Sequence, residues 1–251
     1  MLPPGFERLL LGHAVAVARS DVAVGIRGSL LGADGARSTL HEYAARQPGA
    51  RPLQGRGVAY AVTLPQSSVR VVVRHNRRGG LFAPIIGDRF LPPTRAPHEL
   101  EVSLALSKLG VSTPDIVAYA LYPPGGLLQR SDVCSAEIPA SRDLAQILTG
   151  EGASERGAAL LATAQLVAGL ARVGARHHDL NAKNVLLTYE TAYVLDVDRV
   201  TLGGIPAETL VANLNRLTRS LRKWRDRFHA RISERDIGEL ETNAQRALQD
   251  S

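Results

Sequence analysis

The part of the chain that decides its fold is residues 177–187, which read HHDLNAKNVLL, together with residues 193–199, which read YVLDVDR. Each run contains a short apolar stretch of the kind that forms a β-strand. A hairpin of Val185–Leu187 against Tyr193–Leu195 would bring Asp196 back beside Asp179 and Asn184. The pattern therefore predicts two carboxylates and one amide at the same end of a hairpin.

Two carboxylates and an amide in this order suit phosphoryl transfer from ATP. That reaction needs one residue to orient or deprotonate the acceptor hydroxyl, and oxygen ligands to hold Mg²⁺ against the phosphates. The His-x-Asp-Leu-x-x-x-Asn spacing is similar to the protein-kinase catalytic loop, and Asp-Val-Asp stands where kinases have Asp-Phe-Gly. We predict Asp179 as the catalytic residue, Asn184 and Asp196 as metal ligands, and ATP and Mg²⁺ as cofactors.

Two other interpretations of this stretch are weaker. Asp and Asn are common in ordinary turns because they bond their own backbone, but a turn does not explain why the order and spacing of both motifs match. A zinc site at His177, His178 and Asp179 lacks the i, i+4 histidines or paired cysteines typical of such sites.

A second group of residues is predicted to bind the nucleotide. Gly55 and Gly57 open a strand, and glycines allow backbone amides to approach phosphate oxygens closely. Arg74 ends the next strand, where kinases carry a lysine that pairs with the phosphates and with a helix glutamate. Glu99, early in the following helix, is the predicted partner of Arg74. Glu101 is two residues further along the helix and is therefore expected to point in a different direction.

The order of elements predicts an α+β, protein-kinase-like bilobal fold, with a β-rich N-lobe over residues 1–134 and a reduced helical C-lobe over residues 135–251. A capping box is predicted at Thr39 and Glu42, and Ser131–Ala140 is predicted to cross between the lobes. The remaining predicted strands are Val58–Leu64, Val69–Arg74, Ile116–Leu121 and Leu127–Cys134, and the helices are Pro97–Gly110, Arg142–Leu148 and Glu155–Val173.

Composition limits the classes of partner. The 251 residues are 45% hydrophobic, which allows a substantial core, and the single cysteine excludes an intrachain disulfide. The N-terminus lacks the residue order of a signal peptide and no apolar stretch is long enough for a bilayer, so a soluble or peripheral protein is expected. The net charge of +6 admits an anionic partner. With 4% aromatics and no nucleic-acid motif, we expect no nucleic-acid partner.

From about Gly55 to Trp224 the chain resembles the lipopolysaccharide-core sugar kinase family, most of all its 3-deoxy-D-manno-octulosonic acid (Kdo) kinases. The resemblance rests on motifs in this order: Gly55–Gly57, Val73–Gly80, Glu99 with Gly110 and Pro114, His178–Asn184, Leu195–Arg199 and Asn215–Lys223. An arginine at position 74 and an aspartate at position 198 are similar to this family. Val197 and Asn76 depart from it, since phenylalanine and tyrosine are usual there.

The resemblance implies ATP- and Mg²⁺-dependent phosphorylation of a Kdo hydroxyl on the lipid A precursor, at the cytoplasmic face of an inner membrane. Other possibilities are a heptose kinase, a protein Ser/Thr kinase and a nucleotide-binding pseudokinase. Residues 199–251 contain no Ala-Pro-Glu motif, which favours a glycolipid acceptor over a protein. An apolar stripe from Leu210 to Phe228, backed by arginines and Lys223, predicts a helix with a basic face and a peripheral, salt-sensitive association with anionic membranes.

Overall fold

The structure, a computed structural model, describes residues 2–31, 37–54, 57–75, 95–122, 130–189 and 191–250. It divides into two compact units. Unit 1 comprises Met1–Glu101 and Asp115–Glu137, and unit 2 comprises Val102–Pro114 and Ile138–Ser251. No helix among the described residues is long and apolar enough to cross a membrane.

Unit 1 is built on a seven-stranded sheet in which every neighbouring pair is antiparallel. Buried and partly exposed side chains alternate along these strands, as in Val71, Val72 and Val73 of the strand Arg70–His75. This alternation is typical of a strand that buries one face, and valine is well suited to strands. The strands lie along the sheet in the order β1 (Phe6–Leu10), β2 (Val15–Arg19), β6 (Ile116–Tyr122), β7 (Arg130–Ala136), β5 (Arg70–His75), β4 (Val58–Thr63) and β3 (Arg51–Gln54).

Among the described residues of unit 1 the helices are α1 (Ala23–Leu31), α2 (Leu40–Arg46) and α3 (Arg95–Lys108), of which α3 continues into unit 2 after Glu101. Helices α1 and α2 bury Ile26, Leu30 and Leu40 in one core with the apolar side chains of the sheet. The predicted capping box begins α2. Thr39 Oγ1 accepts a hydrogen bond from the Glu42 N–H, and the Glu42 carboxylate accepts one from the Thr39 N–H.

Unit 2 is helical, with short strands beside the helices. Its helices are α4 (Leu144–Thr149), α5 (Ala153–Arg172), α6 (Pro206–Phe228) and α7 (Glu234–Gln249). Helix α5 packs against both α6 and α7 over a leucine-rich core. The strands are β8 (Arg142–Asp143), β10 (Val185–Leu187) and β11 (Ala192–Val194) in one sheet, and β9 (Arg176–His177) with β12 (Val200–Thr201) in another.

Most of the predicted elements are present, including the hairpin of β10 and β11, which pairs Val185 with Val194. The elements that were not predicted are strands β1, β3, β8, β9 and β12 and helix α7. The predicted strand Leu127–Cys134 is confirmed from Arg130 onward as β7, and its first three residues lie outside the described ranges. The overlapping prediction of a crossing at Ser131–Ala140 is wrong for Ser131–Ala136, which belong to β7 between β5 and β6. The predicted lobe boundary after residue 134 falls inside β7, whereas the observed division follows Glu137.

The error over β7 has a physical cause. Ser131 and Asp132 are polar and were predicted both in a strand and in the crossing, yet both are fully buried. Asp132 can be buried because its carboxylate accepts hydrogen bonds from Tyr122 Oη at 2.9 Å and from the His41 N–H at 2.9 Å, and contacts His75 Nδ1 at 2.5 Å. A buried acid with several partners is compatible with a central strand, and those partners lie far away in the sequence.

Candidate active site

The backbone of Asp179 is fixed by three hydrogen bonds within its own loop. Its N–H donates to His177 Nδ1 at 3.1 Å, and its carbonyl oxygen accepts from Asn181 Nδ2 at 2.8 Å and from Asn184 Nδ2 at 2.9 Å. Because Asn and Asp side chains bond nearby backbone groups readily, this sequence closes into a compact loop without regular secondary structure. The loop gives the half-buried Asp179 a defined position.

The structure brings the two predicted metal ligands together. The Leu195 N–H donates to the Asn184 carbonyl oxygen at 2.9 Å, so Asp196 follows directly after a residue bonded to Asn184. The Asn184 side chain is buried, and its amide nitrogen is used by Asp179, which leaves Oδ1 as the oxygen available for a metal. Asp196 is exposed and lies in the left-handed region with φ 55° and ψ 47°. That conformation costs about 1–2 kcal/mol for most residues, although Asp adopts it more readily.

These groups fit Mg²⁺ by their chemistry. An amide oxygen and a carboxylate are hard donors, and Mg²⁺ usually takes one or two protein oxygens together with substrate phosphates and water. No group of three or more His, Cys, Asp or Glu side chains is placed to hold a metal within the described ranges. Asn184 and Asp196 would hold such a metal through one amide oxygen and one carboxylate, and its charge would offset that of nucleotide phosphates.

His177 connects the catalytic loop to the segment before Asp196. Its ring is buried, and because Nδ1 accepts the Asp179 N–H, Nε2 carries the proton and donates to the Leu195 carbonyl oxygen at 2.9 Å. Burial lowers the pKa of His177, and the charges of nearby aspartates oppose that shift only in part. Both ring nitrogens are occupied, so the zinc interpretation at His177 has no support here.

Helix α6 supports this loop through Asn213, which the sequence analysis missed, and through Ser220, which lies in the motif Asn215–Lys223 but was assigned no role. Asn213 is fully buried; its Oδ1 accepts the His177 N–H at 2.9 Å, and its Nδ2 donates to the Ala175 carbonyl oxygen at 3.0 Å. Ser220 Oγ accepts the Ala182 N–H at 3.2 Å. No short motif marks Asn213, although an asparagine inside an apolar helical stripe was a signal that could have been used.

A close approach of two backbone segments sets the start of β9. Gly174 has φ +64°, and a Cβ atom there would lie 2.4 Å from the Gly204 carbonyl oxygen. The Gly204 N–H donates to the Gly174 carbonyl oxygen at 2.9 Å. Only glycine permits both the backbone angle and the contact, so this pair fixes where β9 begins relative to the residues that lead into α6.

The loop that follows α3 supports the second strand of the hairpin. Thr113 Oγ1 donates to the Val194 carbonyl oxygen at 3.0 Å, and the Val194 N–H donates to the Ser112 carbonyl oxygen at 2.9 Å. Strand β11 is therefore bonded on both edges, by β10 and by this loop. The position of Asp196, two residues further on, depends on both contacts.

In unit 1 the structure forms the predicted pair of Arg74 and Glu99. The Arg74 guanidinium donates to Glu99 Oε1, and the Glu99 side chain is almost completely buried, whereas Glu101 is exposed. Glu99 Oε2 is buried and has no hydrogen-bond partner in the described part of the chain. Gly57 lies immediately before β4, as predicted, while Gly55 lies outside the described residues.

The predicted apolar stripe of α6 is confirmed for Leu210, Leu214, Leu217 and Leu221, which are buried, whereas Phe228 is exposed. The basic residues on the other face of α6 fall into two groups, those that pair with an acidic residue and those that do not. Arg222 and Arg225 both bond the Glu234 carboxylate at the start of α7 and hold the pKa of Glu234 down to about 2. Arg216, Arg219, Lys223 and Arg227 have no such acidic partner in the described ranges.

Comparison with known proteins agrees with this arrangement. Residues 45–243 match the model of the lipopolysaccharide kinase (Kdo/WaaP) family. A relative from Vibrio parahaemolyticus named 3-deoxy-D-manno-octulosonic acid kinase is 31% identical over 193 residues, covering 72% of this chain and 79% of the relative. One of the same name from Stenotrophomonas maltophilia (strain K279a) is 34% identical over 199 residues, covering 76% and 77%.

A solved structure described as WaaP in complex with acyl carrier protein has a TM-score of 0.50 with this chain at 17% identity, covering 85% of this chain and 83% of the other. This likeness confirms the predicted α+β kinase-like fold. The family match covers more than half of the chain, and the two named relatives cover more than two thirds of it. The chain therefore belongs to the lipopolysaccharide kinase (Kdo/WaaP) family and is a phosphotransferase whose acceptor group is a hydroxyl.

Proposed function

We propose that the protein transfers the γ-phosphate of ATP to a hydroxyl of Kdo on the lipid A precursor, and that it does so at the cytoplasmic face of the inner membrane. The choice of Kdo rests on the relatives named Kdo kinases, which are 31% to 36% identical to this chain. The choice of a membrane-embedded acceptor is consistent with the unpaired cations of α6.

Each predicted residue takes one role in this proposal. Asp179 orients the acceptor hydroxyl and accepts its proton as the oxygen attacks the γ-phosphorus, while the bond to the bridging oxygen of ADP breaks. Arg74, held by Glu99, contacts the ATP phosphates. Gly55, which lies outside the described residues, and Gly57 keep their predicted role in binding the nucleotide. Asn184 and Asp196 would hold Mg²⁺, whose charge would offset the negative charge of the phosphates.

The single observation that carries the proposed chemistry is the bond from the Leu195 N–H to the Asn184 carbonyl oxygen. It joins the backbone of Asn184 to Leu195, the residue directly before Asp196, which supports a role for both residues in holding one metal. Asn184 also bonds the backbone of Asp179. A base and two oxygen ligands in one connected network are what phosphoryl transfer needs, since the reaction depends mainly on positioning and charge.

The test is a transfer assay with γ-labelled ATP. Purified protein is incubated with Mg²⁺ and, in parallel, with a Kdo-bearing lipid A precursor, the same precursor without Kdo, a heptose acceptor and a generic protein. We expect label only in the Kdo-bearing precursor, and no label when EDTA replaces Mg²⁺. Equal labelling of the precursor without Kdo, or labelling of the heptose or protein acceptor instead, would contradict the proposed acceptor.

A further inference from the structure

Unit 2 carries an open groove of about 670 Å³ along the exposed side of α6. Its polar lining comes from three arginines, one asparagine and one glutamate: Arg176, Arg216, Arg219, Asn215 and Glu208. Small apolar residues complete the lining: Ala207, Val211 and Ala212. The groove therefore combines a net positive charge with a modest apolar surface.

The three groove arginines, two on α6 and one on β9, differ from Arg222 and Arg225 of α6. Arg222 and Arg225 share Glu234, so their charge is compensated inside the protein. Arg176, Arg216 and Arg219 make no ion pair or side-chain hydrogen bond in the described part of the chain. Arg216 and Arg219 are three positions apart and so lie on one side of the helix. Uncompensated guanidinium groups beside one another repel, and an anion relieves that repulsion.

The groove lies next to the catalytic loop. Arg176 belongs to β9, directly before His177 and three residues before Asp179, so their Cα atoms are at most about 11 Å apart along the chain. Its register partner on β12 is Thr201, whose hydroxyl contacts His178 Nε2 at 3.0 Å. Asn213, which bonds the His177 N–H, lies on α6 between groove residues Ala212 and Asn215. The same elements therefore position both the groove and Asp179.

We propose that this groove binds a phosphomonoester on the sugar portion of the glycolipid acceptor and so places the acceptor hydroxyl at Asp179. The inference rests on the function proposed above and adds to it a phosphate-specific acceptor subsite. A planar guanidinium group can donate two parallel hydrogen bonds to two oxygens of one phosphate, which favours a phosphate over a neutral sugar as the ligand. The apolar lining by Val211 and the alanines is suited to the C–H faces of the attached sugar rings.

The direct test measures equilibrium binding without ATP. The ligand is the Kdo-bearing acceptor freed of its acyl chains, which separates sugar-phosphate recognition from membrane binding, and it is compared with the same glycan after phosphatase treatment. The wild-type protein should bind the phosphorylated glycan at least about tenfold more tightly, the order expected for one charge-assisted hydrogen bond. The Arg216→Gln/Arg219→Gln variant should lose that preference.

The matched control is Lys223→Gln/Arg227→Gln, which removes two cations from the same helix outside the groove. It should keep the wild-type preference for phosphate. No phosphate preference in the wild type, or equal losses in both variants, would overturn the inference. Binding is measured without turnover, so a wild-type protein that labels no Kdo acceptor would refute the proposed function while the binding comparison still decides the role of the groove.

Discussion

At the level of single residues, the three hydrogen bonds that fix Asp179 all use its backbone. Replacing its carboxylate with an amide of the same shape leaves those bonds in place. We therefore expect Asp179→Asn to keep the fold and the ATP affinity while turnover falls by about 10²-fold or more, the usual contribution of a general base. Steady-state kinetics and thermal unfolding measure both. Turnover close to wild type would remove Asp179 from the mechanism.

Arg74 stands where most kinases have lysine, and its pairing with Glu99 predicts how a substitution acts. Arg74→Ala removes a charged donor, so the KM for ATP should rise by about tenfold or more, in line with one charge-assisted hydrogen bond. The KM for the acceptor should not change, which serves as the internal control. Arg74→Lys should recover part of the ATP affinity, since it restores the charge without the planar geometry. An unchanged KM for ATP in Arg74→Ala would exclude a phosphate-binding role.

His177 predicts a pH dependence of stability. Burial lowers the pKa of His177 in the folded state, so the unfolded chain takes up a proton on this ring at a higher pH than the folded protein does. The contribution of the neutral ring to the free energy of unfolding is therefore complete above the ordinary histidine pKa of 6.5 and decreases as the pH falls below it. Urea unfolding at several pH values measures the effect.

The comparison for that experiment is His177→Gln, which keeps an uncharged polar side chain but cannot titrate. Below pH 6.5 the wild type should lose more of its free energy of unfolding than the variant does, whatever the absolute stability of the variant. Parallel pH profiles for the two proteins would show that the ring does not titrate differently in the folded and unfolded states.

At the level of elements, α6 holds the catalytic loop through Asn213. Asn213→Ala leaves two buried backbone groups, the His177 N–H and the Ala175 carbonyl, without partners. Each unsatisfied group costs about 1–3 kcal/mol, so the free energy of unfolding should fall by roughly 2–6 kcal/mol. Asn215→Ala, an exposed asparagine on the same helix, is the control and should change stability by less than about 0.5 kcal/mol. Equal effects of the two substitutions would contradict the anchoring role.

How far the sequence predicts these elements depends on how far apart the partners lie in the chain. The β10–β11 hairpin and the capping box of α2 follow from neighbouring residues, and both were predicted within about one residue of their observed positions. Asp132 was predicted both in a strand and in the crossing, and the sequence could not decide between them because His41, Tyr122 and His75, which satisfy its carboxylate, come from other elements. Likewise, the spacing of the motif identifies Asp179 and Asn184, but no motif identifies Asn213 as a residue that supports their loop.

The distribution of charge on α6 is also not predictable from the sequence of that helix alone. From the sequence, α6 has a uniformly basic face. In the structure, Glu234 from α7 pairs with Arg222 and Arg225, which leaves two different sets of cations on the helix. One set lines the groove and the other, Lys223 and Arg227, lies near the C-terminal end. Which cations of α6 are paired depends on how α7 packs against it, and the residues of α6 alone do not predict that packing.

At the level of the whole molecule, the net charge of +6 and the unpaired cations of α6 predict reversible binding to anionic membranes. A basic residue near an anionic surface contributes about 1 kcal/mol, so Arg216, Arg219, Lys223 and Arg227 together supply up to about 4 kcal/mol. The Debye length shortens from about 10 Å at 0.1 M salt to about 3 Å at 1 M, so the attraction should disappear at high salt.

Liposome co-sedimentation measures this association. We expect the protein to sediment with vesicles that contain anionic phospholipid at low salt, to be released at high salt, and to stay in solution with neutral vesicles. Lys223→Gln/Arg227→Gln should weaken sedimentation although it leaves the groove intact. Glu234→Gln should strengthen it, because it removes the charge that compensates Arg222 and Arg225. Failure of the wild type to sediment with anionic vesicles at low salt, or an opposite response of the two variants, would refute electrostatic membrane association.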